Sequence, residues 1–293
     1  MTADERSRQS GHAPQVDPQV DPKALQPIVT AIEAEFAKAP PTIAIIGLSG
    51  VGKSTIINSL FGTRRDVSAT TRGTSRFHKR KFEIVSKRLY GASMKCALQI
   101  IDAPGLGEDK ALDGNYLERY RRHLPEADIA LWVVAARNRA LALDQQYLEQ
   151  LLDVLPHVVL GINQVDLVDP LSWNEAINLP SKEQAANIAA IVSDRREKLG
   201  AAFAQPIRAV PFSALRHYNL QTLFSACLDE APKHRRWMFE VLKAFSTRDW
   251  LAQAKGLSRK QREALEAKYL TSDEPLQLDG LPTGEAQPHR APA

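Results

Sequence analysis

Apolar positions recur at two different spacings along this chain, and the changes of spacing predict its elements. Over Lys23–Lys38 the residues Leu25, Ile28, Val29, Ile32 and Phe36 fall on one helical face, and Pro40 and Pro41 end the run. Next comes Thr42-Ile43-Ala44-Ile45-Ile46, a short β-branched stretch stopped by Gly47, which predicts a buried strand. Similar strand-like runs occupy Phe77–Val85, Ala97–Ile101, Ile129–Val134, Val158–Ile162 and Ile207–Pro211. Helical spacing fills the intervals at Ser54–Phe61, Leu143–Leu155, Glu183–Leu199 and Leu220–Leu228. Strands and helices alternating in this way predict an α/β fold, with a mostly parallel sheet and helices on both faces. The runs at Phe77–Val85 and Ala97–Ile101 are joined by a short link through Gly91, too short for a crossover helix, so one antiparallel edge is expected.

The ends of the chain read differently. Residues 1–22 are polar and carry Val-Asp-Pro twice, which predicts a disordered lead-in. Residues 23–230 form the main domain with its N-terminal helix. Beyond Pro232, Trp237, Met238, Val241, Leu242 and Phe245 mark an amphipathic helix, and Leu257–Leu270 looks helical and charged, giving a helical extension over 231–270. That extension is expected to pack on the main domain, bind a partner or lie on a membrane surface. Residues 271–293, rich in proline, read as a disordered tail.

Composition narrows the class. The chain is 44% hydrophobic and 25% charged, ordinary for a globular domain. No run approaches the ~18 apolar residues of a membrane span, and the polar N-terminus has no apolar signal region, so a cytoplasmic location is expected. Cys96 and Cys227 lack metal-ligand spacing and are expected to be free thiols. The net charge of +4 is unevenly spread. Between Thr63 and Arg88, nine Lys or Arg residues stand against only Asp66 and Glu83. That segment accounts for the basic character, and the remainder is net negative.

One segment carries clear chemistry. Gly47-Leu48-Ser49-Gly50-Val51-Gly52-Lys53-Ser54 fits G-x-x-x-x-G-K-S, directly between a predicted strand and a predicted helix. Glycines let the backbone turn tightly and aim N–H groups at phosphate oxygens. Lys53 can neutralise the β and γ phosphates, the Ser54 hydroxyl can ligate Mg²⁺, and the helix dipole points at the same anion. Ser49, Gly50, Val51, Gly52, Lys53, Ser54 and Thr55 are therefore the candidate phosphate-binding residues.

With four further elements in order over about Pro41 to Cys227, the chain resembles the translation-factor-related GTPases, in particular the Era/TrmE-like bacterial branch. Thr70-Thr71-Arg72 is similar to that branch's switch I, which implies that Thr71 completes the Mg²⁺ shell and senses the γ-phosphate. Asp102-Ala103-Pro104-Gly105 is similar to D-x-x-G, implying Asp102 on a Mg²⁺-bound water and the Gly105 N–H at the γ-phosphate. Asn163-Gln164-Val165-Asp166 resembles N-K-x-D, whose carboxylate accepts N1–H and the N2 amino group of guanine. Ser213-Ala214 is similar to the S-A element whose backbone contacts the guanine carbonyl. Leu106-Gly107-Glu108, Leu131 to Val134 with Arg137 and Asn138 to Leu141, and Asp144 look like the YfjP-like group. The resemblance implies GTP/GDP with Mg²⁺ as cofactors, Lys53 and Thr71 as catalytic residues, and Ser54, Thr71 and Asp102 at the metal.

Departures from the pattern shape the expected activity. Gln164 replaces the lysine of N-K-x-D, which is expected to lower guanine affinity while Asp166 preserves selectivity. Leu106 stands where Ras-like relatives carry a water-positioning Gln, so slow intrinsic turnover is expected. Gly50 takes the place of a potassium-binding Asn found in some relatives. Arg72, Arg137 and Arg139 are candidates for transition-state charge. The expected function is a Mg²⁺-dependent GTPase switch. The alternatives are a nucleotide-dependent docking module with negligible hydrolysis, or, more weakly, a small-molecule kinase. The basic segment around Arg76 to Lys81 suits an anionic partner, RNA or an acidic protein, and equally suits a solvated edge strand; a nucleotide-dependent dimer is a further expectation.

Overall fold

The computed structural model describes residues 22–61, 77–86, 93–107, 113–138, 141–203 and 205–243. The expectations for residues 1–21, Thr70 to Arg72, Glu108, Arg139 and the stretch from 244 onward lie outside these.

Six strands form one sheet: β1 (Thr42–Gly47), β2 (His78–Ser86), β3 (Met94–Asp102), β4 (Ile129–Ala135), β5 (His157–Asn163) and, late in the chain, β8 (Arg208–Pro211). Their spatial order is β2-β3-β1-β4-β5-β8. All pair in parallel except β2, which runs antiparallel to β3 at the edge, as the short link through Gly91 predicts. The central strands read as unbroken apolar runs because helices cover both faces: every residue of β1 is buried. β6 (Trp173–Asn174) and β7 (Leu179–Pro180) form a separate two-stranded ribbon after β5.

The helices are α1 (Pro22–Lys38), α2 (Lys53–Phe61), α3 (Asp113–His123), α4 (Ala142–Leu151), α5 (Lys182–Gly200), α6 (Leu220–Asp229) and α7 (Arg236–Lys243). Sequence periodicity misses α3 altogether. Among the described side chains of this strongly polar helix, Tyr116, Leu117 and Tyr120 face the core, and Tyr120 anchors it by donating to the Pro104 carbonyl oxygen at 2.5 Å.

Of the fates weighed for the amphipathic helix after Pro232, packing is the observed one. Met238, Phe239 and Leu242 of α7 are buried, and Trp237 meets Phe36 of α1 edge to face at 6.1 Å. Asp128, just before β4, accepts from the Thr42 N–H at 2.8 Å and from Arg235 at 3.1 Å, joining this C-terminal element to β1. Cys96 and Cys227 are free and buried, and burial pushes both thiols up to about 12, so neither is a reactive thiolate. Among the described residues no helix is long and apolar enough to cross a membrane.

One core feature is costly. Asp144 of α4 has no exposed surface. Its Oδ1 accepts from the Trp132 indole N–H at 3.2 Å, and its Oδ2 accepts no hydrogen bond. Burial raises its pKa to about 6, against smaller opposing effects of the Trp132 bond and the charges of Arg195 and Lys53. The folded protein thus binds this proton more tightly than the unfolded chain. The stabilisation is complete below the ordinary carboxylate range and is lost as pH rises through about 6. Wild type is therefore expected to lose about 2 kcal/mol relative to Asp144→Asn between about pH 4.5 and about pH 7.5 in urea denaturation. A pH-independent difference would show that Asp144 titrates normally.

Candidate functional site

The C-terminal ends of β1, β3, β4, β5 and β8 lie on one edge of the sheet, because these strands are parallel. The strand order changes direction between β1 and β4, the place where open α/β sheets form a ligand crevice. Every described candidate residue lies at this edge.

The loop from β1 to α2 is drawn tight by its glycines. Gly47 has φ +140°, and a Cβ there would lie 2.3 Å from the Val133 carbonyl oxygen, so no side chain fits between β1 and β4. Gly52 has φ +94°, and a Cβ would meet the Asn163 side-chain nitrogen at 2.4 Å. Within the loop the Lys53 ammonium donates to the carbonyl oxygens of Gly47 at 3.0 Å and Leu48 at 2.7 Å. Lys53 is buried, and its charge sits at the first turn of α2, where the helix dipole adds positive potential. Ser54 follows on the same turn, partly exposed.

The turn after β3 closes on this loop. The Leu106 N–H donates to the Gly47 carbonyl oxygen at 3.2 Å and the Ser49 N–H to the Leu106 carbonyl oxygen at 3.0 Å. Gly105 is thereby held against Ser49, and Asp102 is fully buried where β3 ends. The Leu106 side chain is 1% exposed, part of the core. Thr71, the remaining predicted metal ligand, lies outside the described residues.

Asn163, the last residue of β5, ties three elements together. Its Nδ2 donates to the Val51 carbonyl oxygen at 2.8 Å, and its Oδ1 accepts from the Ala214 N–H at 3.0 Å. The Ala214 N–H, part of the backbone that the resemblance places at the guanine carbonyl, is thus already engaged. Gln164 takes the left-handed conformation (φ 64°) and donates from Nε2 to the Gly50 carbonyl oxygen at 3.2 Å. Sequence reasoning treats Gln164 only as a lost lysine, whereas here its amide bonds the phosphate-loop backbone. Asp166 follows in a short 3-10 turn and is 7% exposed.

Several supporting residues carry no motif signal. Gln184 of α5, fully buried, donates to the Val168 carbonyl oxygen at 2.8 Å and the Asp166 carbonyl oxygen at 3.4 Å, fixing the turn. Ser59 of α2 donates to the Ala214 carbonyl oxygen at 2.8 Å. Ser213 accepts from the Arg216 N–H through its hydroxyl at 3.2 Å. Arg137, a charge candidate, is exposed after β4.

On the edge strand, Lys79 pairs with Glu126, Lys95 pairs with Glu83 at 2.9 Å, and the Lys81 ammonium reaches the Ala37 carbonyl oxygen at 3.5 Å. Part of the basic segment therefore serves the fold.

A G-x-x-x-x-G-K-S strand-to-helix turn, a D-x-x-G turn bonded to it and the Asn163–Asp166 turn on one sheet edge define a P-loop fold. Residues 42–164 match the family described as 50S ribosome-binding GTPase. It is 35% identical over 149 residues to the uncharacterized protein YkfA of Escherichia coli, which is 49% of this chain and 48% of that protein. Against YfjP of the same organism the identity is 35% over 154 residues, 50% of this chain and 48% of that protein. GTPase Era of Aquifex aeolicus is 25% identical over 195 residues, 65% of this chain and 56% of the relative. A solved structure of Era from that organism aligns with a TM-score of 0.45 at 27% identity, over 66% of this chain and 57% of that one. The chain spans about half the length of the curated relatives it matches.

Asn163 makes a structural prediction independent of any ligand. Asn163→Ala leaves the buried Ala214 N–H and Val51 carbonyl without their partner, so stability of the nucleotide-free protein should fall by about 2–4 kcal/mol in urea denaturation. A loss under about 0.5 kcal/mol would mean that water replaces the amide at no cost.

Proposed function

We propose that this chain binds guanine nucleotides and hydrolyses GTP to GDP and phosphate as a Mg²⁺-dependent conformational switch. One observation carries the reading: the phosphate loop, the D-x-x-G turn and the Asp166 turn converge on one sheet edge, with Asn163 bonded to two of them. Backbone N–H groups of Ser49 to Thr55 and the Lys53 ammonium would bind the phosphates. Asp166 would accept N1–H and the N2 amino group of guanine, a donor pair that adenine lacks. The Gly105 N–H would reach the terminal phosphate. Gln164, Ser213 and Ala214 hold the base-side loops in place.

The residues present suit a hard cation. Ser54 offers a hydroxyl at the head of α2 and Asp102 a buried carboxylate at the end of β3, both oxygen donors on the loop's edge of the sheet. Mg²⁺ bound there with Thr71 would neutralise charge on the phosphates. Because Leu106 is committed to the core, nothing at that position orients water, and intrinsic turnover is slow. The relatives named as GTPases favour hydrolysis over a purely docking role. The excess of Lys and Arg over Asp and Glu between Thr63 and Arg88 supports an anionic partner for the switch.

Calorimetry should show GDP bound at least about a hundredfold more tightly than ADP, a difference near 2.7 kcal/mol. Lys53→Ala should cost about tenfold or more in GDP affinity. Asp166→Asn should shift preference toward xanthosine diphosphate, whose C2 carbonyl accepts from the new amide. Equal binding of ADP and GDP would reject the guanine reading. Phosphate release too slow to detect at any protein concentration would leave the docking module as the better description.

A further inference from the structure

Arg216 is placed beside the base-reading carboxylate by contacts that no sequence motif announces. It follows Leu215, whose side chain is 75% exposed, and it turns inward instead. Its Nη1 donates to both oxygens of Glu175, at 2.6 and 2.7 Å. Its guanidinium lies over the Trp173 ring, 5.3 Å from the centroid. Trp173 is itself set by Tyr218, edge to face at 5.1 Å, and by donation to Asn178 at 3.1 Å. Asn178 in turn donates to the Arg216 carbonyl oxygen at 2.9 Å. The β6–β7 ribbon therefore grips Arg216 by its head group, its flat face and its backbone.

What remains of the side chain points at Asp166. The Arg216 Nε is 3.5 Å from Asp166 Oδ2, and it is buried with no hydrogen bond of its own. A buried N–H without an acceptor is expensive, and the Asp166 carboxylate is the group a few tenths of an ångström from satisfying it. The carboxylate, almost wholly buried, gains a cation that neutralises it and a direction that fixes its plane.

We propose that Arg216, buttressed by Trp173 and Glu175, is a positioning residue that holds the Asp166 carboxylate in the plane where both oxygens accept from a purine. This rests on the guanine reading above and adds a source of base specificity to it. Bidentate acceptance requires the carboxylate to lie coplanar with the base edge, and a carboxylate free to rotate offers one good bond at a time. Arg216 also supplies, from a different loop, a positive charge next to the base site whose N-K-x-D element carries the neutral Gln164.

The test compares GDP with inosine diphosphate, which keeps N1–H and lacks the N2 amino group. Calorimetry on wild type, Arg216→Gln and Glu175→Gln gives the discrimination ratio for each. Arg216→Gln should weaken GDP about tenfold and inosine diphosphate less than about threefold, so the ratio collapses. Glu175→Gln, which keeps the arginine but loosens its anchor, should move the ratio the same way by a smaller factor. Equal weakening of both nucleotides would make Arg216 merely structural, and tighter GDP binding would make it a competitor of the base. Either result overturns the proposal. A wild type that does not separate GDP from ADP would instead reject the guanine reading itself, a distinct failure.

Discussion

The site depends on how closely three backbone segments approach one another at the C-terminal edge of the sheet. Gly47 lies against the Val133 carbonyl with no room for a methyl group, and Gly52 lies against the Asn163 amide in the same way. With side chains removed from the interface, polar groups of neighbouring loops come within hydrogen-bonding distance, and the bonds made there are backbone to backbone or amide to backbone. Such groups could not be left unpaired in a buried setting. The loop is therefore not a flexible strap draped over a sheet. It is a packed layer whose N–H groups are aimed by its neighbours, and it concentrates positive potential around one buried ammonium.

Asn163 turns that packing into coupling. A single amide donates to the loop after β1 and accepts from the loop after β8, so one side chain bonds both loops. Gln164 adds a second strut to the same loop through the Gly50 carbonyl. Glutamine at that position brings no charge, yet it makes a connection to the loop.

Much of this was legible in the sequence, for specific reasons. The sheet and its antiparallel edge follow from β-branched apolar runs and one short link, and the loop follows from glycine and lysine spacing within eight consecutive residues. Both signals are local. Helix α3 was not legible because its burial rests on two tyrosines and a leucine in a strongly polar segment, below any periodicity threshold. The β6–β7 ribbon has strands of two residues each, too short for alternation to register. Gln184, Ser59 and Arg216 escaped notice because each acts on a residue distant in sequence. Arg216 meets Glu175 across 41 positions and Ser59 meets Ala214 across 155. Ordinary polar residues gain such roles only when topology brings loops together, which composition and spacing do not encode.

The burial of Leu106 bears on the proposed hydrolysis and not on the proposed binding. At 1% exposure its side chain is held in the core by the same turn whose backbone bonds the phosphate loop, so swinging it outward would cost buried apolar area and two hydrogen bonds. A polar residue at this position would face the same packing and would have to bury its polar atoms or break the turn. The position is therefore structural in this chain, and on the proposed reading charge for the transition state would come from elsewhere. Arg137, on the exposed turn after β4, is the described arginine among the candidates. It lies on the solvent side, where a partner rather than the domain's own packing would have to direct it. On the proposed reading, the described phosphate-side and base-side parts are fixed by the domain's own packing, and the rate of hydrolysis is left to contacts made from outside.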